Sequence, residues 1–207
     1  MSDQEVRPAV RHARCELSDR IESLAPEQWE SNSWCQGWRV RDVLGHLVHM
    51  AEAATASMLS SLSRNLARPD RALDREARRL GDRPVPELAS RLRAAAEGRG
   101  FHVIGSPAFA GLGDVLVHGA DMLRPLSQEF DASPLMVVPI LNVYSGLFGR
   151  MAFHAAPARG LRLAATDVEW ARGKGVEISG RAIDLMLLLA NRLQVKPWLA
   201  GPGVTGL

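Results

Sequence analysis

The sequence predicts a mainly α protein, a helical bundle followed by a small α+β domain. Apolar residues recur at three- and four-residue steps from Val10 to Phe148, and beyond Gly160 the period falls to two. Pro157 and Gly160 flank the change. With 207 residues the chain has the length for one medium domain and one small one. The boundary is therefore placed near Gly149–Ala158, giving domains over 1–150 and 151–207.

The first helix is expected from Pro8 to Leu24, with Val10, Ala13, Leu17, Ile21 and Leu24 on one face. Pro26 and the run Ser31–Gly37 interrupt the pattern. It restarts at Val40, Val43, Leu44, Leu47 and Val48 and runs toward Leu62 as a long apolar helix. Residues 69–98 are rich in charge, and Pro84 and Pro86 divide them into two exposed helical pieces expected to cover the core rather than form it. A further helix is expected from about Phe109 to Leu126, and another from Pro134 to about Phe148, with Pro134 in the first turn where a missing N–H costs nothing. Short strands follow at Leu161–Ala165, Val168–Trp170 and Val176–Ile178, with Gly173-Lys174-Gly175 as a turn and an apolar helix from Arg181 to Leu193.

Composition narrows the class of function. The chain is 46% hydrophobic and 23% charged, and its 25 basic against 23 acidic residues give a formal charge of +2. So small an imbalance implies no nucleic-acid partner. The apolar stretches Leu135–Phe148 and Ile183–Ala190 fall short of the roughly 18 residues that span a bilayer, so no membrane partner is expected. The polar start Met1–Arg14 does not read as a secretory signal, which points to a cytoplasmic protein with Cys15 and Cys35 as reduced thiols. No G-x-x-x-x-G-K-[ST], H-E-x-x-H or strand-borne G-x-G-x-x-G is present, which sets aside nucleotide and zincin chemistry.

One spacing does carry chemistry. Asp114 and His118 stand four apart on a predicted helix and so share one face. His46 lies among Val43, Leu44 and Leu47 and faces the bundle interior. Three such donors from two helices would make an N/N/O site with an open position, as in catalytic zinc. Spacing alone leaves the alternative open, two hydrogen-bonded core histidines beside a solvated aspartate. His49, three residues beyond His46, is the runner-up donor from that helix, while His12, His102 and His154 have no partner at ligand spacing. Cys35 has no histidine at a fixed local spacing and is expected to pack against Trp34 and Trp38. With Trp29, these two tryptophans are expected to plug the end of the bundle.

The segment Trp34-Cys35-Gln36-Gly37-Trp38-Arg39-Val40-Arg41-Asp42-Val43-Leu44-Gly45-His46-Leu47 resembles the entry to the second helix of mycothiol-dependent maleylpyruvate isomerase-like proteins, where a C-x-G-W turn precedes V-x-D-(L/V)-x-x-H-L. Asp114-Val115-Leu116-Val117-His118-Gly119-Ala120-Asp121-Met122-Leu123-Arg124 resembles the second metal segment of that family, an acidic residue four before a histidine followed by H-x-x-D-x-x-R. The strands at Leu161-Arg162-Leu163 and Val176–Gly180 with the helix after them are similar to its small sterol-carrier-like C-terminal domain. The tail is short for a lipid cavity and is assigned packing or dimerisation, with a homodimer as the assembly it could serve.

The resemblance implies a DinB-like four-helix bundle that holds a divalent metal, zinc by preference, on His46, Asp114 and His118. The family more often has glutamate where this chain has Asp114, one methylene shorter. Asp121 and Arg124 fall on D-x-x-R and are the candidate catalytic residues, to contact a polar substrate or to orient His118; the alternative is an exposed helical ion pair. By the same resemblance the partners are a small-molecule thiol, mycothiol as co-substrate, and an electrophile. The reaction is then isomerisation or S-transfer by a metal-activated thiolate, family analogy favouring transfer. A non-catalytic metal- or small-ligand-binding bundle is the alternative, motivated by Asp114, and a DNA-binding regulator is disfavoured for want of a basic recognition helix.

Overall fold

The computed structural model describes residues 3–52, 69–95, 107–130, 132–147, 149 and 160–207. These residues form two compact units, Met1–Phe130 and Asp131–Leu207. The first contains α1 (Asp3–Glu22), α2 (Pro26–Trp29), α3 (Val40–Glu52), α4 (Pro69–Gly81), α5 (Val85–Ala94) and α6 (Pro107–Leu123). The second contains α7 (Pro134–Tyr144), β1 (Leu161–Ala165), β2 (Ala171–Gly173), β3 (Val176–Gly180) and α8 (Ala182–Leu189). Short 3-10 turns at Arg124–Leu126, Leu193–Trp198 and Pro202–Gly206 complete the chain.

Four helices close a ring in the first unit. Helix α1 packs on α5 and α6, and α3 packs on the same two, while α4 lies along α3. The fold is thus a four-helix bundle with a small α+β part at the C-terminal end. The stripe predicted for α1 is the stripe it buries, with Leu17 and Ile21 fully enclosed. Each such aliphatic side chain contributes ~1.5–3 kcal/mol on leaving water. Pro8 sits inside α1, which begins at Asp3 rather than at Pro8.

The charged segment differs from expectation. Helix α4 lies outside the ring, but α5 belongs to it, with Val85, Leu88, Ala89 and Leu92 buried. Its apolar residues are sparse in number yet lie at helical spacing, so one narrow stripe suffices to enter the core while the charges stay wet. The α3–α4 contact is close at Gly45, where an added Cβ would stand 2.5 Å from the Ala77 carbonyl oxygen. A side chain there would push α4 off the helix that carries His46. The helix expected toward Leu62 runs to Glu52, and the residues beyond lie outside those described.

In the second unit the sheet order is β2-β1-β3, with β1 antiparallel to β2 and parallel to β3. The second strand in the chain, β2, is Ala171–Gly173 rather than Val168–Trp170, because residues 166–169 form the bend that returns the chain to β1. Helix α8 packs on α7, on the 3-10 turn Leu193–Trp198 and on the sheet. This contact places α7 with the second unit, whereas its apolar helical period had grouped it with the bundle. The strand pairs observed all lie beyond Gly149; before it, the described residues hold one isolated bridge, Asn32 with Arg39. No described helix is long and apolar enough to cross a membrane.

Candidate metal centre

Helices α3 and α6 are bundle neighbours, and they bring His46 to face Asp114 and His118. Asp114 Oδ1 lies 3.7 Å from His46 Nε2 and 3.6 Å from His118 Nε2. The three donor atoms lie within 4.8 Å of one another. Ligands of a tetrahedral ion with bonds of roughly 2.1 Å stand about 3.4 Å apart, so this spacing fits one zinc-sized cation. The short Asp114 side chain reaches both nitrogens because it shares a helix face with His118, one turn away.

On its other edge His118 is hydrogen-bonded. Nδ1 stands 2.9 Å from Asp121 Oδ2, and Cys35 Sγ donates to the same oxygen at 3.1 Å while lying 3.5 Å from Nδ1. Cys35, His118 and Asp121 also meet the distance criterion for a metal group. Separations of 2.9 and 3.1 Å are hydrogen-bond lengths, however, and leave less room for a cation than the Nε2 side. The Asp121 carboxylate on Nδ1 fixes the tautomer that turns the Nε2 lone pair toward Asp114 and His46.

Electrostatics agree with an acceptor site. Burial opposes charge on His118, but the Asp121 hydrogen bond, the Cys35 sulfur and the Asp114 charge outweigh it and push its pKa up to about 10. Burial likewise raises the Asp114 carboxyl, while the adjacent His46 imidazole and the charges of His118 and Arg14 hold it below the usual carboxylate range overall. Without a cation the pair is thus imidazolium and carboxylate. With one, the cation replaces the Nε2 proton.

His46 is held differently. Its Nδ1 is buried with no hydrogen-bond partner among the described residues, and its ring lies 5.3 Å from Trp38 and 4.9 Å, edge-on, from that of His118. His49, half-buried, faces Glu76 of α4 at 4.0 Å and joins neither donor group. His12 makes a surface pair with Glu16, and His102 and His154 lie outside the described residues.

Helix α6 ends at Leu123, and Arg124, expected at the rim of the site six residues beyond His118, opens a 3-10 turn. Its side chain is 1% exposed, 3.5 Å from Glu129, with the guanidinium 5.9 Å from the Trp34 ring centroid.

Two site residues escape the sequence reading. Cys35 was expected against tryptophans and instead meets Asp121, 86 positions away, a separation that leaves no local signal. Arg14 is buried, with Nη1 donating to the Ala95 carbonyl at 2.9 Å and its charge acting on Asp114. A signal for it existed, a cation between Val10 and Leu17 on the apolar stripe of α1. Each of the three tryptophans has its own partner. Trp38 Nε1 donates to Asp74 at 2.7 Å, Trp29 Nε1 donates to the Ile21 carbonyl at 3.0 Å, and Trp34 underlies Arg124.

Comparison with known proteins agrees with this picture. Residues 10–100 match the mycothiol maleylpyruvate isomerase N-terminal domain, a span that includes His46 but ends before Asp114 and His118. Among solved structures, the mycothiol-dependent maleylpyruvate isomerase is similar at 13% identity and TM-score 0.61, and a histidine-to-alanine mutant of it at 12% and 0.62. In both cases the alignment covers 93% of this chain and 90% of the other. Such a likeness shows the fold. Among curated proteins nothing matches by sequence. The protein therefore shares the fold of these isomerase structures, a helical bundle followed by a small α+β part. The match to that N-terminal domain, residues 10–100, spans less than half of the 207-residue chain.

Proposed function

We propose that this protein is a metal-dependent, thiol-utilising enzyme, a mycothiol-dependent isomerase or S-transferase acting on an electrophilic small molecule. One observation supports the reading above others: Asp114 Oδ1 stands 3.7 and 3.6 Å from two imidazole Nε2 atoms. His46, Asp114 and His118 would hold a divalent cation, zinc by its N/N/O donors. When bound, the cation would stabilise a thiolate at neutral pH and leave a position open for it. Asp121 acts behind His118 as a positioning residue, holding Nδ1 so that Nε2 faces the site. The His46 and His118 imidazoles keep Asp114 ionised, with a smaller contribution from Arg14. Arg124 serves as a support, stacking on Trp34, whose backbone N–H donates to the Asp121 carbonyl at 2.9 Å.

Elemental analysis of the purified protein and a thiol-transfer assay with mycothiol and a generic electrophile test the proposal together. Bound zinc with transfer that is lost in His118→Ala supports it. Bound zinc without transfer or isomerisation selects the second reading, a non-catalytic metal-binding bundle, which the short Asp114 side chain motivates. A parent protein that binds no divalent cation refutes both.

A further inference from the structure

The turn between α2 and α3 touches both candidate metal histidines through different side chains. Residues 33–38 are closed by their own hydrogen bonds. Ser33 N donates to Trp38 O at 3.0 Å, Trp38 N donates to Cys35 O at 2.9 Å, and Ser33 Oγ accepts from Cys35 N at 3.1 Å. Gly37 supplies the left-handed residue, φ +79°, that lets so short a segment close. The loop is also tied outward at three points. Trp34 N donates to the Asp121 carbonyl at 2.9 Å, Trp38 Nε1 donates to Asp74 at 2.7 Å, and Arg78 donates to the Gly37 carbonyl at 2.7 Å.

From this rigid turn two arms reach the site. Cys35 donates its S–H to the Asp121 oxygen that holds His118 Nδ1, so Asp121 is fixed from two sides. Trp38 lies against His46, whose buried Nδ1 has no hydrogen-bond partner among the described residues. Contact with Trp38 therefore helps set the angle of that ring. We propose that the turn Ser33–Trp38 is a single positioning element for both histidines, with Cys35 acting on His118 through Asp121 and Trp38 acting on His46 by contact. The inference rests on the metal reading of the site for its consequence, but the orientation of the rings can be measured without a metal.

Four full-length variants test it: Cys35→Ala, Cys35→Ser, Trp38→Phe and Gly37→Ala. The last leaves both arms intact and strains only the turn, since an added Cβ would meet nothing closer than Arg78 Nη2 at 3.6 Å. Cobalt(II) titration gives affinity and, from the visible spectrum, coordination geometry; nitrogen-15 spectra of the metal-free protein report each imidazole. Circular dichroism confirms folding. Cys35→Ala should lower cobalt affinity roughly tenfold, within the range for loss of an outer partner of a metal ligand, and should shift the His118 ring signals alone. Cys35→Ser, which restores a donor, should recover most of the affinity. Trp38→Phe, which cuts the tie to Asp74, should shift the His46 ring alone, and Gly37→Ala should shift both. Unchanged ring signals in all four variants would overturn the inference, whether or not cobalt binds. Should the parent fail to bind cobalt while the ring signals move as stated, the metal reading falls and the positioning role stands.

Discussion

His46 and His118 sit 4.9 Å apart and are held by opposite means. His118 lies in a hydrogen-bonded chain, Cys35 to Asp121 to imidazole, which fixes its tautomer and charge. Among the described residues His46 has no such partner on Nδ1, and its ring leans on Trp38 and on α3 being pinned to α4 at Gly45. The contrast teaches that a ligand can be oriented by charge or by shape. The two routes differ in how they respond to mutation and to pH, because a carboxylate acts on protonation and a ring contact does not.

The largest effect is expected at the residue both sides share. His118→Ala should abolish zinc uptake, read by elemental analysis after dialysis, with the helical circular dichroism retained, because the bundle buries a core of its own. Metal uptake by this variant equal to that of the parent would place the ion elsewhere.

Asp121→Asn keeps the shape of the chain and removes its charge. Metal affinity should fall by roughly 10–100-fold. The His118 pKa should drop from about 10, since the Asp121 hydrogen bond is the leading influence that raises it. Titration of the imidazole signals checks the second point.

The pH dependence follows from the same shift. Below about 10 a cation must displace a proton from His118, so apparent zinc affinity should rise about tenfold per pH unit between 7 and 9 if this group alone titrates. In the metal-free protein the folded pKa lies above the unfolded value of 6.5. The protonated ring therefore stabilises the fold fully below about 6.5, and that contribution is lost as pH rises toward 10. Urea unfolding of chelated protein at the two ends of this window, with Asp121→Asn as reference, measures it.

On the His46 side the lever is steric. Gly45→Ala sets a methyl 2.5 Å from the Ala77 carbonyl oxygen and should cost ~1–3 kcal/mol of stability, as overpacking does. It should also lower metal affinity without moving the His118 pKa. A matching shift at His118 would show that the two rings are not independently held. The smallest effect belongs to His49→Gln, which should leave metal affinity unchanged because that ring faces Glu76.

The helices, the fall of period beyond Gly160 and the shared face of Asp114 and His118 are legible in the sequence, because each rests on local spacing. An i, i+4 pair on a helix is in contact whatever the rest of the chain does. Only the tertiary structure decided that α5 enters the core, that α7 packs with α8, that Arg124 is buried and that Cys35 meets Asp121. Periodicity reports which face of a helix is apolar, but not which element will cover it, nor where the last turn tightens into a 3-10 turn. Contacts between residues far apart in sequence depend on how whole helices pack, and for Cys35, 86 positions from its partner, that packing is the entire cause.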